Sequence, residues 1–244
     1  MMRLIRFSPV LMLAGNAVSQ IVPKITVGVD QANTPQEGSV AMQVVFLLTI
    51  LSLAPAILLM MTPFTRIVTV MGFLKKALGT QTTPPNQVIV GLSLFLTWFV
   101  MQPQLKEMND LALQPYLAQE IGWKEGAERA MKPMRAFMFR QTGENELATM
   151  VKISKTPRPR TVDDIPNAVL IPSYMISELK TAFLIGFLIY LPFLVIDMVV
   201  ASILMALGMM MLPPVMVSLP LKLILFVSVD GWNLVTHGVV QSFR

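Results

Sequence analysis

AFLIGFLIYLPFLVIDMVVASILMALGMMMLPPVMVSLPLKLILFVSVDGWNLV, residues Ala182 to Val235, carries only three charged side chains in 54 residues. At its centre, Gly208 to Pro214 read Gly-Met-Met-Met-Leu-Pro-Pro. A helix does not continue past Pro213-Pro214, because each ring removes a backbone donor and the second forces the first out of the helical region. The stretch therefore predicts two apolar helices joined by a reversal, with Gly208 before it and Met209, Met210 and Met211 at its mouth. Thioether chains are unbranched, apolar and deformable, so they fill gaps whose shape changes. Gap-filling inside a buried hairpin and soft plugging of an opening both fit this pattern.

Composition extends the membrane signal to the whole chain. Hydrophobic residues make up 54% and charged residues 14%, with a mean hydropathy of +0.64. An ordinary soluble domain is about 25% charged. Without cysteine there is no disulfide and no thiolate nucleophile, and a lone His237 builds neither a zinc centre nor a Ser-His-Asp system. No cofactor, metal site or catalytic residue is expected. The net charge of +5 is better used to orient a membrane protein than to bind nucleic acid.

Residues 1–19 read as a secretory signal peptide. Arg3 and Arg6 precede an apolar core from Phe7 to Ala14, and Ala17 and Ser19 supply a small-residue cleavage site, leaving Gln20 first in the mature chain. The alternative is a retained amphipathic anchor. Residues 20–41 form an extracytoplasmic segment. Met42–Met61 then matches the ~20 residues that a bilayer requires. Val88–Met101, at 14 residues, has the length of a buried or re-entrant helix. Ala182–Leu212, at 31, is too long for one span unless Pro192 or Gly208 breaks it. Such lengths suit helices sheltered by protein neighbours, which argues for an oligomer.

Residues 42–101 thus form a first helical hairpin. Its connection, Thr62–Gln87, holds Arg66, Lys75 and Lys76 and no acid, as cytoplasmic loops do. Residues 102–181 hold 21 of the chain's 33 charges, with Leu105, Met108, Leu111, Leu113 and Leu117 near helical spacing, and read as a charged helical region on the periplasmic side. Residues 182–244 form the second hairpin. The fold class is all-α.

Asp197, Lys222 and Asp230 are costly in apolar surroundings and mark function or pairing. With unbroken helices turning near Pro213, Asp197 lies 16 residues before the turn and Asp230 17 after it, at one depth. Two facing carboxylates would suit an intramembrane aspartyl protease or a proton relay. The flanks VIDMV and SVDGW lack the glycine-aspartate arrangement of such proteases, so structural or inter-subunit charges are the preferred reading. On the same count Lys222 lies level with position 204, away from both aspartates, and its partner is expected on another subunit.

Three runs carry a family resemblance: Ile171–Val235, Met61–Met101 (MTPFTRIVTVMGFLKKALGTQTTPPNQVIVGLSLFLTWFVM) and Met131–Ala148 (MKPMRAFMFRQTGENELA). Together they resemble the FliP family of flagellar type III export-gate proteins. The resemblance implies a non-enzymatic subunit of a helical hetero-oligomer with FliQ and FliR, present in five copies. That assembly lines a conduit for unfolded flagellar proteins across the bacterial inner membrane. FlhB and the flagellar basal-body ring are implied as neighbours. It further implies that methionines at positions 209–211 form a ring, or gasket, closing the resting channel. Successive helical residues differ by ~100°, so either the helix unwinds before Pro213 or each copy sends a different subset inward. A related injectisome export gate is the alternative; the leader, the long central region and Leu212-Pro213-Pro214 favour the flagellar branch.

Overall fold

The computed structural model describes residues 35–80, 82–155, 159–209 and 211–243, and among them every regular element is helical. The leader, most of residues 20–41 and Met210 lie outside the described residues. The chain divides into a unit ending at Leu47 and a unit from Leu48 onward. Helix α1 (Pro35–Met60) runs across that boundary, and no residue of its Met42–Met60 stretch is buried.

Within the second unit the first finding departs from the sequence reading. Thr62–Gln87 is not simply a loop, because Phe64–Ala77 folds as helix α2. Its apolar residues Ile67, Val70, Met71, Leu74 and Ala77 are all buried and recur at the three- and four-residue spacing of one helix face. Arg66 is buried on the same helix, so it is not an exposed loop charge. Lys75 and Lys76 remain at the surface side of the last turn.

Helix α3 (Asn86–Met108) passes into a π-helical turn (Asn109–Leu113) and then α4 (Gln114–Leu117). The apolar run Val88–Met101 is thus the core of a 32-residue helical stretch long enough to cross a bilayer. Helices α5 (Trp123–Gln141) and α6 (Glu144–Ile153) follow. Helix α7 (Asn167–Ala206) runs 40 residues straight through Pro172 and Pro192. At 1.5 Å per residue it is about 60 Å long, twice the hydrocarbon thickness. Helices α8 (Pro214–Ser228) and α9 (Gly231–Gln241) meet at a 66° bend, and Pro220 does not break α8.

Helix α7 is the spine for two cores. Its first turns, with Val169, Leu170 and Tyr174, pack with Met101 of α3 and with Met134, Phe137 and Met138 of α5. Further along, Ala182 and Phe193 join the α2 face together with Phe226, Val235 and Val239 of α8 and α9. The α2–α7 approach is close at Gly186, where a Cβ would come 2.5 Å from the Phe73 ring. Phe73 in turn meets Phe183 edge-on at 5.1 Å.

Candidate functional site

The methionines sit where α7 stops. Leu207 caps the helix and Gly208 adopts a left-handed φ of +72°, a conformation that costs glycine nothing. The Gly208 N–H donates to the Met205 carbonyl at 3.0 Å and the Met209 N–H to the Leu204 carbonyl at 2.9 Å. Those two bonds are the paired closure of a Schellman motif, which satisfies the last helical carbonyls. The Leu212 N–H then donates to the Met209 carbonyl at 3.4 Å. Pro213 is extended and Pro214 occupies the first turn of α8, where a missing N–H costs nothing. Met209 and Met211 therefore lie outside regular helix, and local unwinding removes the 100° problem. Met211 is 98% exposed in the single chain.

From Met198 to Leu221 no side chain carries a charge. The turn therefore offers no group for proton transfer; what it offers is a deformable apolar surface. Among the described residues, no cluster of three or more His, Asp or Glu is placed to hold a metal ion.

The reversal is fastened by an ion that the depth count misplaced. Lys222 donates from Nζ to Asp197 Oδ2 at 2.6 Å and to the Ala77 carbonyl at 3.2 Å. Ser218 Oγ donates to Asp197 Oδ1 at 2.5 Å. Lys222 thus finds its partner inside its own chain, contrary to the expectation of an inter-subunit one. The physical reason is that α7 already ends at Ala206 and α8 begins only at Pro214, so depth is counted from those ends and not from Pro213. Asp197 lies nine residues before the end of α7 and Lys222 eight after the start of α8, so the two are level. The same correction separates the aspartates. Asp230 sits at the α8–α9 bend with φ +49°, exposed, accepting from Asn233 Nδ2 at 3.2 Å. It lies on the order of 10 Å farther along than Lys222.

Ala77 is the last residue of α2, so its carbonyl would otherwise be one of the orphans of a helix C-terminus. The ammonium satisfies that oxygen and lies at the negative end of the helix dipole. One side chain thereby ties α2 to both arms of the reversal. Its exposure is 2%, against 25% for Asp197.

A second buried ion escaped the sequence reading. Arg66 Nε and Nη2 grip Glu178 of α7 at 2.9 and 2.5 Å. Nη2 also reaches Gln141 Oε1 of α5 at 3.2 Å, and Nη1 donates to the carbonyl and hydroxyl of Ser242 at 2.8 and 3.0 Å. The guanidinium carbon lies 4.0 Å from the Phe243 ring centroid. Four distant stretches of chain meet on one cation. The available signal was Arg66 four positions before Val70 of the α2 apolar stripe, a spacing that places both on one helix face.

These features define an all-helical membrane protein in which one buried ion fastens a bare, uncharged reversal and a second ties the other end of the same long helix to its neighbours. The chain belongs to the FliP family, whose model matches residues 47–239. It is 51% identical over 211 residues to the flagellar biosynthetic protein FliP of Pectobacterium carotovorum, covering 86% of this chain and 82% of that one. To the flagellar biosynthetic protein FliP of Bacillus subtilis it is 48% identical over 217 residues, covering 89% and 98%. The Aquifex aeolicus protein of that name is 44% identical over 237 residues, covering 96% and 98%.

Proposed function

We propose that this chain is a structural, non-enzymatic subunit of the flagellar type III protein export gate, lining the conduit through which unfolded flagellar proteins cross the inner membrane. The family and its flagellar relatives supply the context; the observation that carries the mechanism is Met211, nearly fully exposed at the tip of a charge-free turn. A water-facing methionine is not stabilised within the single chain, and several copies brought together around an axis would remove it from water. Met209, Met210 and Met211 would then form an apolar constriction. Such constrictions block ions by dewetting, while thioethers deform around a passing polypeptide. Gly208, Pro213 and Pro214 hold the turn open as a loop, and Lys222 with Asp197 sets its position.

In this reading five copies assemble with FliQ and FliR next to FlhB and the basal-body ring, and residues 102–181 stand on the periplasmic side. Residues 1–19 are removed as a leader. The flagellar names of the relatives favour this reading over the injectisome one. Deleting the gene tests it: export of flagellar filament protein should stop, and return when the intact chain is supplied. Intact flagella accompanied by loss of effector delivery into host cells would point to the injectisome branch.

A further inference from the structure

Away from the methionine turn, a second apolar surface lies within the charged region. The π-helical turn and α4 face the first half of α5 across an open groove of about 500 Å³. Its floor is made of small residues, Ala112, Gly126 and Ala130, and its rim of Leu113, Tyr116 and Trp123. Trp123 is 68% exposed. A floor of small side chains under an aromatic rim is shaped to take an inserted aliphatic side chain. The π-helical turn shapes this wall, and such turns are frequent at functional sites.

The same region presents aliphatic side chains of matching kind elsewhere. Ile153 at the end of α6 is 65% exposed, and Val162 in the connection to α7 is 56% exposed. Val162 stands on an anchored loop. Arg135 donates to the Ile165 carbonyl at 2.8 Å and also bonds Asn167. The backbone N–H groups of Thr161 and Arg160 hold the Asp164 carboxyl below the usual carboxylate range. Helix α6 packs on α7, whereas the groove is built by α3, the π turn, α4 and α5.

The charges are complementary. Residues 105–130, which contain the groove, carry five acids and three bases, while residues 131–164 carry seven bases and four acids. Glu120 is exposed beside Tyr116 of the groove wall, and Lys152, Lys155 and Arg160 are exposed around Ile153 and Val162.

We propose that the groove receives Ile153 and Val162 of a second copy of this chain, with the acidic rim of one copy against the basic face of the next. This rests on the multi-copy reading above and assigns it a surface. Groove and insert are different surfaces of one chain, so the contact is head-to-tail: each copy fills one neighbour and is filled by the other. Head-to-tail contacts generate rings or helices rather than closed pairs.

The chain has no cysteine, so introduced thiols are its only ones. Differently tagged full-length chains carrying Ala127→Cys or Ile153→Cys, co-expressed and oxidised in membranes, should form the mixed disulfide dimer. A chain carrying both should form a ladder, and Ala127→Cys alone should form no dimer. Adding Trp123→Ala should cut the mixed yield about tenfold, as loss of a central aromatic anchor does. Glu120→Lys or Lys155→Glu alone should reduce the yield, and the two reversals together should restore it. Dimers joined only through Ala127→Cys, or cross-links only to a different protein, would overturn the proposal. So would absence of the mixed product in complexes that native gels show to hold several copies. If native gels show single copies, the multi-copy reading itself fails.

Discussion

Near the start of α7, Glu178 holds the guanidinium of Arg66 on α2, whose donors are all used by α5, α7 and the chain's last residues, whereas just past the end of α7 Met211 projects with almost no intrachain contact. One helix therefore joins a region organised around a fully bonded guanidinium to a region that carries no charge and little packing. The difference separates two kinds of role. The buried ions fix where the helices lie, and the turn remains free to be shaped by whatever meets it. Substitutions in the first region should remove the folded protein; substitutions in the second should leave the protein and change what passes it.

The largest effect is expected at the Arg66–Glu178 pair. Arg66→Met leaves a buried carboxylate without its cation, a change that costs about 3–5 kcal/mol. The protein should largely disappear from membranes, as read by immunoblot. Arg66→Met combined with Glu178→Leu should recover part of it, since replacing both members of a buried pair with apolar groups is far less costly than removing one. Normal levels of the single variant would break the contrast at its strong end.

Lys222→Met comes next. It strands Asp197 and the Ala77 carbonyl, but Asp197 keeps some contact with solvent, so about 2–4 kcal/mol is expected. Thermal unfolding of the purified chain should show a lower midpoint. Because this ion sits beside the reversal, the variant should also lose complex formation on native gels. A variant that assembles normally yet blocks export would move Lys222 from positioning to transport.

Gly186→Ala is expected to cost less, about 1–3 kcal/mol, because the new methyl meets the Phe73 ring and the two helices must part. Its unfolding midpoint should fall, and Phe73→Leu in the same chain should restore some of the loss. An unchanged midpoint would show that the α2–α7 contact yields easily, and would weaken the claim that this half of the molecule is tightly specified.

Much of this was legible in the amino-acid order. Gly208 followed by a proline pair marks the end of one helix and the beginning of another, and the structure stops α7 and starts α8 there. The apolar span from Met42 also read directly, whereas Val88–Met101 was read as a short buried or re-entrant helix and is part of a 32-residue stretch, and Pro192 does not break α7. Helix α2 was less visible because its stripe is short and its polar side, with Thr65, Thr69 and Lys76, resembles loop composition. The partner of Lys222 was misread for a geometric reason: depth was counted as if helix ran up to Pro213, whereas α7 ends at Ala206. Arg66 was read through its charge as a marker of membrane side, when its place four residues before Val70, on the buried face, was the better clue. Sequence spacing reports neighbours on one helix; it does not report which distant carboxylate, amide and terminal carbonyl converge on one cation.

The central claim, that the turn seals the conduit by apolar contact between copies, is tested most directly by ion conductance across membranes containing the assembled complex. Met209, Met210 and Met211 replaced together by alanine should leave the amount and assembly of the protein at the level of the unaltered chain, since Met211 is almost fully exposed and Met209 is 43% exposed in the single chain. Resting conductance should rise and membrane potential should fall. Unchanged conductance in fully assembled complexes would contradict the account.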